Sequence, residues 1–171
     1  MRTIKLSKAR FVILMSLVAL MSLAAVAVVQ ASTPIPTEGT FVSTVIPGTF
    51  SVDKVVGQNM FYSVDTIIVL EGNLEGTGLL EETGVEHGGG AGPLIAHGVI
   101  HFEGTIDGHE GSIDIQYNRI KHGGLSSPAQ WEGDRMFVTN TGTGGLANLH
   151  GRMHIVGVYG VGSSTGQYHF D

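Results

Sequence analysis

The chain has 171 residues, 26 glycines, no cysteine and a formal net charge of −6. Without cysteine there are no disulfides and no lipid-modified cysteine of the bacterial lipoprotein type, so stability must come from packing. Four of the nine Lys and Arg and none of the 15 Asp and Glu fall within residues 1–31, which leaves five cations against 15 acids, a net −10, over residues 32–171. That surface repels phosphate backbones, no basic stripe offsets it, and nucleic-acid binding is excluded.

Residues 1–31 read as a secretory signal peptide. Arg2, Lys5, Lys8 and Arg10 form a basic start, Phe11 to Val29 carries no charge, and Val29-Gln30-Ala31 places small residues where a signal peptidase cuts. The alternative is an uncleaved anchor, because this run nearly reaches the length of a bilayer span; Ser16, Ser22 and the alanine-rich end weaken it. The expected location is secreted or cell envelope, with no membrane contact beyond this segment. Residues 32–47, with Pro34, Pro36 and Pro47 among Ser and Thr, read as a flexible tether.

From Gly48 to Asp171 a two-residue rhythm predicts strand after strand. Gly48 to Val52 alternates. In Met60 to Leu74, the residues Ile68, Leu70, Gly72 and Leu74 share a face. In Leu94 to Asp107, Ile100, Phe102, Gly104 and Ile106 oppose His97, Val99, His101 and Glu103. Ser112 to Arg119 sets Ile113, Ile115 and Tyr117 against Asp114, Gln116 and Asn118. Trp131 to Thr141, Arg152 to Tyr159 and Gly166 to Asp171 complete the set, and Asn148 to His150 leaves room for one helical turn. Turn signals stand at Glu75-Gly76, His87 to Gly92, Asp107-Gly108, His122 to Gly124 and Gly162 to Ser164. Every glycine lies beyond residue 31, many inside strands, where they mark bends and bulges. About eight consecutive antiparallel strands fit an up-and-down β-barrel best, because closure removes exposed edges; a β-sandwich is the alternative.

Two segments carry a family likeness: Phe102-Glu-Gly-Thr-Ile-Asp-Gly-His-Glu-Gly-Ser-Ile-Asp-Ile-Gln, and Thr141-Gly-Thr-Gly-Gly-Leu-Ala-Asn-Leu-His-Gly with a closing Gly166-Gln-Tyr-His-Phe. Together they resemble the bacterial DUF3224 family, whose domains of unknown function have an allene oxide cyclase-like barrel. The Gly-Thr-Gly stretch is also similar to plant dirigent proteins and allene oxide cyclases. The resemblance implies the barrel and, from plant relatives that bind small molecules inside it, a cavity. It implies no catalytic residue. Related barrels form dimers or trimers, so it leaves a homo-oligomer as an expectation. On the residues themselves, Gly142, Gly144 and Gly145 permit backbone angles closed to other residues, letting the chain tuck Leu146 and Leu149 against a barrel end.

All eight histidines follow residue 31. His97, His101 and Glu103 point to one side of a strand, about 6–7 Å apart at each i, i+2 step, so His101 and Glu103 are weak metal candidates if His109 or Asp114 adds a ligand. The bland reading, a polar face meeting water, fits better, and no metal or cofactor is expected. His87-Gly-Gly-Gly lacks the Gly-x-Ser-x-Gly elbow of a hydrolase, and Gly142-x-Gly144-Gly145 lacks the βαβ setting of a dinucleotide site. Nucleophilic and dinucleotide chemistry drop out.

Polar residues in apolar company that are candidates to line a cavity are Glu71, Glu103, Tyr117, Asn118, Trp131, Arg135 and Tyr159. Glu103, Tyr117, Trp131 and Glu71 are the candidate ligand contacts, with Glu103 and Tyr117 the first pair to test. Three functions remain. The barrel binds a small apolar molecule without turning it over; it is a structural protein with a filled interior; or it is a cyclase or isomerase with one acid/base group in the cavity. Binding or a structural role is favoured over catalysis.

Overall fold

The computed structural model describes residues 32–171, so the expected signal peptide lies outside the described residues. Within them the chain forms nine antiparallel strands: β1 (Ile35–Val45), β2 (Ser51–Val56), β3 (Asn59–Gly72), β4 (Leu74–Glu86), β5 (Leu94–Ile106), β6 (His109–Lys121), β7 (Trp131–Phe137), β8 (Leu149–Val158) and β9 (Val161–Phe170). From β3 onward each strand pairs with the next in sequence, and β1 lies between β9 and β3, so eight strands close into a barrel. β2 is the extra strand. It continues past β1 along the same edge of β3, Ser51 opposite Ser63 and Val56 opposite Asn59, with all six residues exposed.

The residues that close the ring are those expected to form a tether. Pro34 and Pro36 forbid helix but not the opening of a strand, where a missing N–H costs no ladder bond. Pairing with β3 begins only at Gly39, opposite Gly72, and Thr37 and Phe41 already face inward and are buried. The barrel therefore starts at Ile35, ahead of the expected Gly48. The turn signals divide. Asp107-Gly108 is a two-residue hairpin turn with φ of 47° and 82°, the left-handed pair that Asp-Gly supplies. Glu75-Gly76, expected as a turn, lies inside β4: Gly76 faces Gly104 across the β4–β5 ladder, and a Cβ on Gly76 would stand 2.8 Å from the Gly104 Cα. The backbones approach too closely there for any side chain, so this glycine bends a strand instead of ending one. Gly162 to Ser164 likewise lies in β9, after a turn at Tyr159-Gly160.

The inward rhythm of β5 and β6 is as the sequence predicts, and Ile100, Phe102, Ile106, Ile113 and Ile115 are each 2% exposed or less. With Leu74, Phe137, Leu149 and Tyr168 they fill one end of the barrel. A short 3-10 turn, Gly144–Leu146, covers that end and drives Leu146 to full burial; it falls four residues before the helical turn expected at Asn148. Its approach is fixed along β6, where the Thr143 N–H donates to the Ser112 carbonyl at 2.8 Å and the Asp114 N–H to Thr141 Oγ1 at 3.0 Å. Two loops are tied together beside it. Asn73 Nδ2 donates to Asp107 Oδ1 at 2.8 Å, and the Tyr168 hydroxyl donates to Asp107 Oδ2. This end is shut.

Candidate functional site

The other end of the barrel is not filled. A cavity of about 300 Å³ runs inward from it, between a packed core that includes Phe41, Ile68, Leu80 and Ile155 and a smaller cluster of Tyr62, Val64, Leu94 and Ala96. Tyr159, 62% exposed, and Phe50, 45% exposed, stand at its rim, and Leu125 from the β6–β7 loop closes part of the mouth.

Glycine in the strands makes room for the aromatic walls. The Tyr62 ring lies over Gly84, where a Cβ would come within 2.6 Å of it, and the Trp131 ring lies against Gly157 in the same way. Trp131 Nε1 donates to the Tyr159 carbonyl at 3.3 Å, which holds the β8–β9 turn at the mouth. Side chains of alternate residues carry the wall inward: Tyr62, Val64, Thr66 and Ile68 on β3, Leu80 and Glu82 on β4, Tyr117, Arg119 and Lys121 on β6, Trp131 and Arg135 on β7.

The charged part of the lining is predominantly cationic. Glu82, 4% exposed, is the one acid among the lining residues, and it is already engaged: Arg119 Nη2 lies 2.7 Å and the Tyr62 hydroxyl 2.9 Å from Glu82 Oε1. Burial, and then the adjacent Glu82, raises the Tyr62 phenol, so it stays protonated and donates this bond. Lys121 Nζ donates to the Leu125 carbonyl at 3.0 Å, and burial followed by the nearby Arg119 charge lowers its pKa. Deeper in, Arg135 is 1% exposed, and none of its three guanidinium nitrogens has a hydrogen-bond partner among the described residues. Its guanidinium carbon sits 4.3 Å from the Phe41 ring centroid, and Tyr117 is its direct cross-strand neighbour. Burial pushes Arg135 down to about 10, which leaves it charged at neutral pH. An unpartnered charge in a low-dielectric interior is among the most expensive groups a fold can keep.

The chain is similar to known proteins over this whole domain. The family described as "Protein of unknown function (DUF3224)" matches residues 37–171. The chain belongs to the DUF3224 family. A solved structure of a DUF3224-family protein with unknown function from Shewanella oneidensis MR-1 superposes with a TM-score of 0.66 at 18% identity, over 81% of this chain and 98% of that one, a likeness in fold. No curated protein matches the chain.

Of the ligand contacts predicted from sequence, this DUF3224 barrel places Tyr117 and Trp131 in the cavity wall, 3% exposed each. Glu71 and Glu103 are on its outside. Glu103 sits between Thr77 and Ser112 on the outer face of β5, so it and Tyr117 lie on opposite sides of the sheet. The rhythm itself dictates this: if Phe102 points inward, its neighbour Glu103 cannot. Asn118 is exposed for the same reason, one residue from Tyr117. His101 pairs with Asp114 across the outer β5–β6 ladder, Nδ1 to Oδ1 at 2.8 Å. Glu103 is opposite Ser112, and no group of three metal-ligating side chains forms among the described residues.

Sequence reasoning missed Tyr62, Glu82, Arg119 and Lys121. Their signal was parity. Arg119 and Lys121 extend the inward series Ile113, Ile115, Tyr117 by two further steps, and Tyr62 precedes Val64 and Ile68 on the inward face of β3. Glu82 follows Leu80 in β4, a strand obscured by the apparent turn at Glu75-Gly76.

Proposed function

We propose that this protein is an exported barrel that holds a small molecule in its open end without turning it over. The observation that carries the reading is the cavity of about 300 Å³, ringed by Tyr62, Tyr117 and Trp131 and left unfilled although the same barrel packs its other end tightly. It is a small pocket, at the lower end of the range for ligand sites, with room for roughly ten to fifteen non-hydrogen atoms. A purely structural barrel has no use for such a space, since eight strands close tightly enough for side chains to fill it.

The cyclase or isomerase reading, in line with the plant barrels that the sequence resembles, needs a free acid or base in the cavity. Glu82 is the one carboxyl group in the wall, and Arg119 and Tyr62 already hold it. That engagement favours binding over turnover. The outer wall carries Glu75, Gln116, Glu132 and Arg152, a surface suited to water and, with its acidic balance, unsuited to nucleic acid. The same reading includes self-association. Val161, Val42 and Val69 are successive neighbours across β9, β1 and β3 on the outer wall, all more than 40% exposed, and sedimentation of the secreted domain measures whether they pair copies.

Native mass spectrometry of the protein purified from its own host tests the binding reading. The expected spectrum shows an adduct of a few hundred daltons that disappears on denaturation. A bare mass, together with no thermal shift across a library of small amphipathic compounds, overturns it.

A further inference from the structure

We infer that the ligand of this cavity is a monocarboxylate with an apolar body, which enters acid-first and forms a two-pronged ion pair with Arg135. The inference rests on the binding reading above and specifies its chemistry.

Three observations lead there independently. The first is the unpartnered Arg135 guanidinium at the inner part of the cavity: a planar fork with five N–H donors, matched in shape by a carboxylate. The second is charge distribution. Residues 32–171 contain only five Lys and Arg against 15 acids, yet Arg119, Lys121 and Arg135 all line this one cavity, where Glu82 alone opposes them. Glu82 balances Arg119 at 2.7 Å, and Lys121 rests on a backbone carbonyl near the mouth, so the charge left uncompensated at depth is that of Arg135. The exterior is acidic and the cavity lining cationic, so an anion repelled by the outer surface finds favourable charge inside. The third is the lining between the mouth and Arg135: Phe41, Val64, Ile68, Leu80 and Trp131 give a desolvated passage for hydrocarbon or an aromatic ring. A dianionic phosphate or sulfate ester is a poorer match, because one guanidinium leaves its second charge buried among those apolar walls.

The test uses residues 32–171 of the secreted chain, with decanoate and 4-phenylbutyrate as probes beside their neutral primary amides, in calorimetric titrations. At least one acid is expected to bind and to exceed its amide by about 30-fold or more, the loss that follows when a buried charge pair forfeits one partner. Arg135→Met should remove that preference, and Arg135→Lys, which keeps the charge without the fork, should retain part of it; circular dichroism confirms that both fold. Amides that bind as well as the acids, with no effect of Arg135→Met, overturn the carboxylate assignment and leave the binding reading in place. If neither acids nor amides bind, the carboxylate assignment falls, and the native mass spectrum decides the binding reading. Should Arg135→Met not fold, either an acid-over-amide preference below about twofold in the wild type or one as large in Arg135→Lys as in the wild type overturns the inference by itself.

Discussion

The two ends of one barrel have been built for opposite purposes from the same strands. At the shut end, Ile106, Phe137, Leu149 and Tyr168 meet beneath Leu146, and Asn73 and Tyr168 are both bonded to Asp107. At the open end the strands run on with Tyr62, Glu82, Arg119 and Arg135 pointing inward around empty space, and one of these charges has no partner among the described residues. Both ends use strand glycines. Gly76 and Gly104 at the shut end let two strands press together, whereas Gly84 and Gly157 at the open end make way for rings that shape a wall. Packing stores stability at one end, and part of it is given up at the other.

The largest effect should come from the shut end. Phe102→Ala removes a ring that fills the space over Gly76 and Gly104, and should cost about 3–5 kcal/mol in urea unfolding, with no change in ligand preference. Glu82→Gln should cost about 3 kcal/mol at the open end, because Arg119 then joins Arg135 as a buried charge without a counter-ion. If Glu82→Gln is instead neutral, the open end is wetter and more forgiving than described, and the contrast weakens.

Tyr168→Phe should be smaller, about 1 kcal/mol, since the bond it deletes goes to the largely exposed Asp107. The Tyr168 and then the Asn73 hydrogen bonds lower the Asp107 pKa. A carboxyl group whose folded pKa lies below its unfolded value stabilises the fold above the unfolded pKa and loses that contribution as pH falls through the folded one. The gap in Tm between wild type and Tyr168→Phe should therefore be constant above about pH 5 and shrink in more acidic buffer. A gap that widens on acidification contradicts the assignment of donor and acceptor. The smallest effect belongs to the outer wall. His101→Ala should stay within about 0.5 kcal/mol, because the His101–Asp114 pair is solvated on both sides.

Much of the shut end was legible in the sequence. Alternation placed Ile100, Phe102, Ile106, Ile113 and Ile115 inside, Asp107-Gly108 announced its hairpin, and the glycines after Thr141 foretold the burial of Leu146 and Leu149. The open end was harder to read because its inward residues are polar. Arg119, Lys121 and Glu82 break the apolar rhythm that marks an inner face, and only counting by twos from Tyr117 and Leu80 recovers them. Arg135 stood among the polar residues in apolar company, but its lack of a partner is a property of three dimensions. The strand over Ile35–Val45 was hidden by prolines at its opening, where a strand tolerates them, and it is this strand that turns an open sheet into a ring.

The claim that the open end forgoes stability to keep a charged ligand site is tested most directly by urea unfolding of the ligand-free domain with Arg135→Met beside the wild type. Methionine fills similar space without a charge, so the variant should unfold at a higher urea concentration, corresponding to a Tm increase of about 3–6 °C. An Arg135→Met midpoint below that of the wild type would mean that Arg135 holds the barrel together, and would contradict the account.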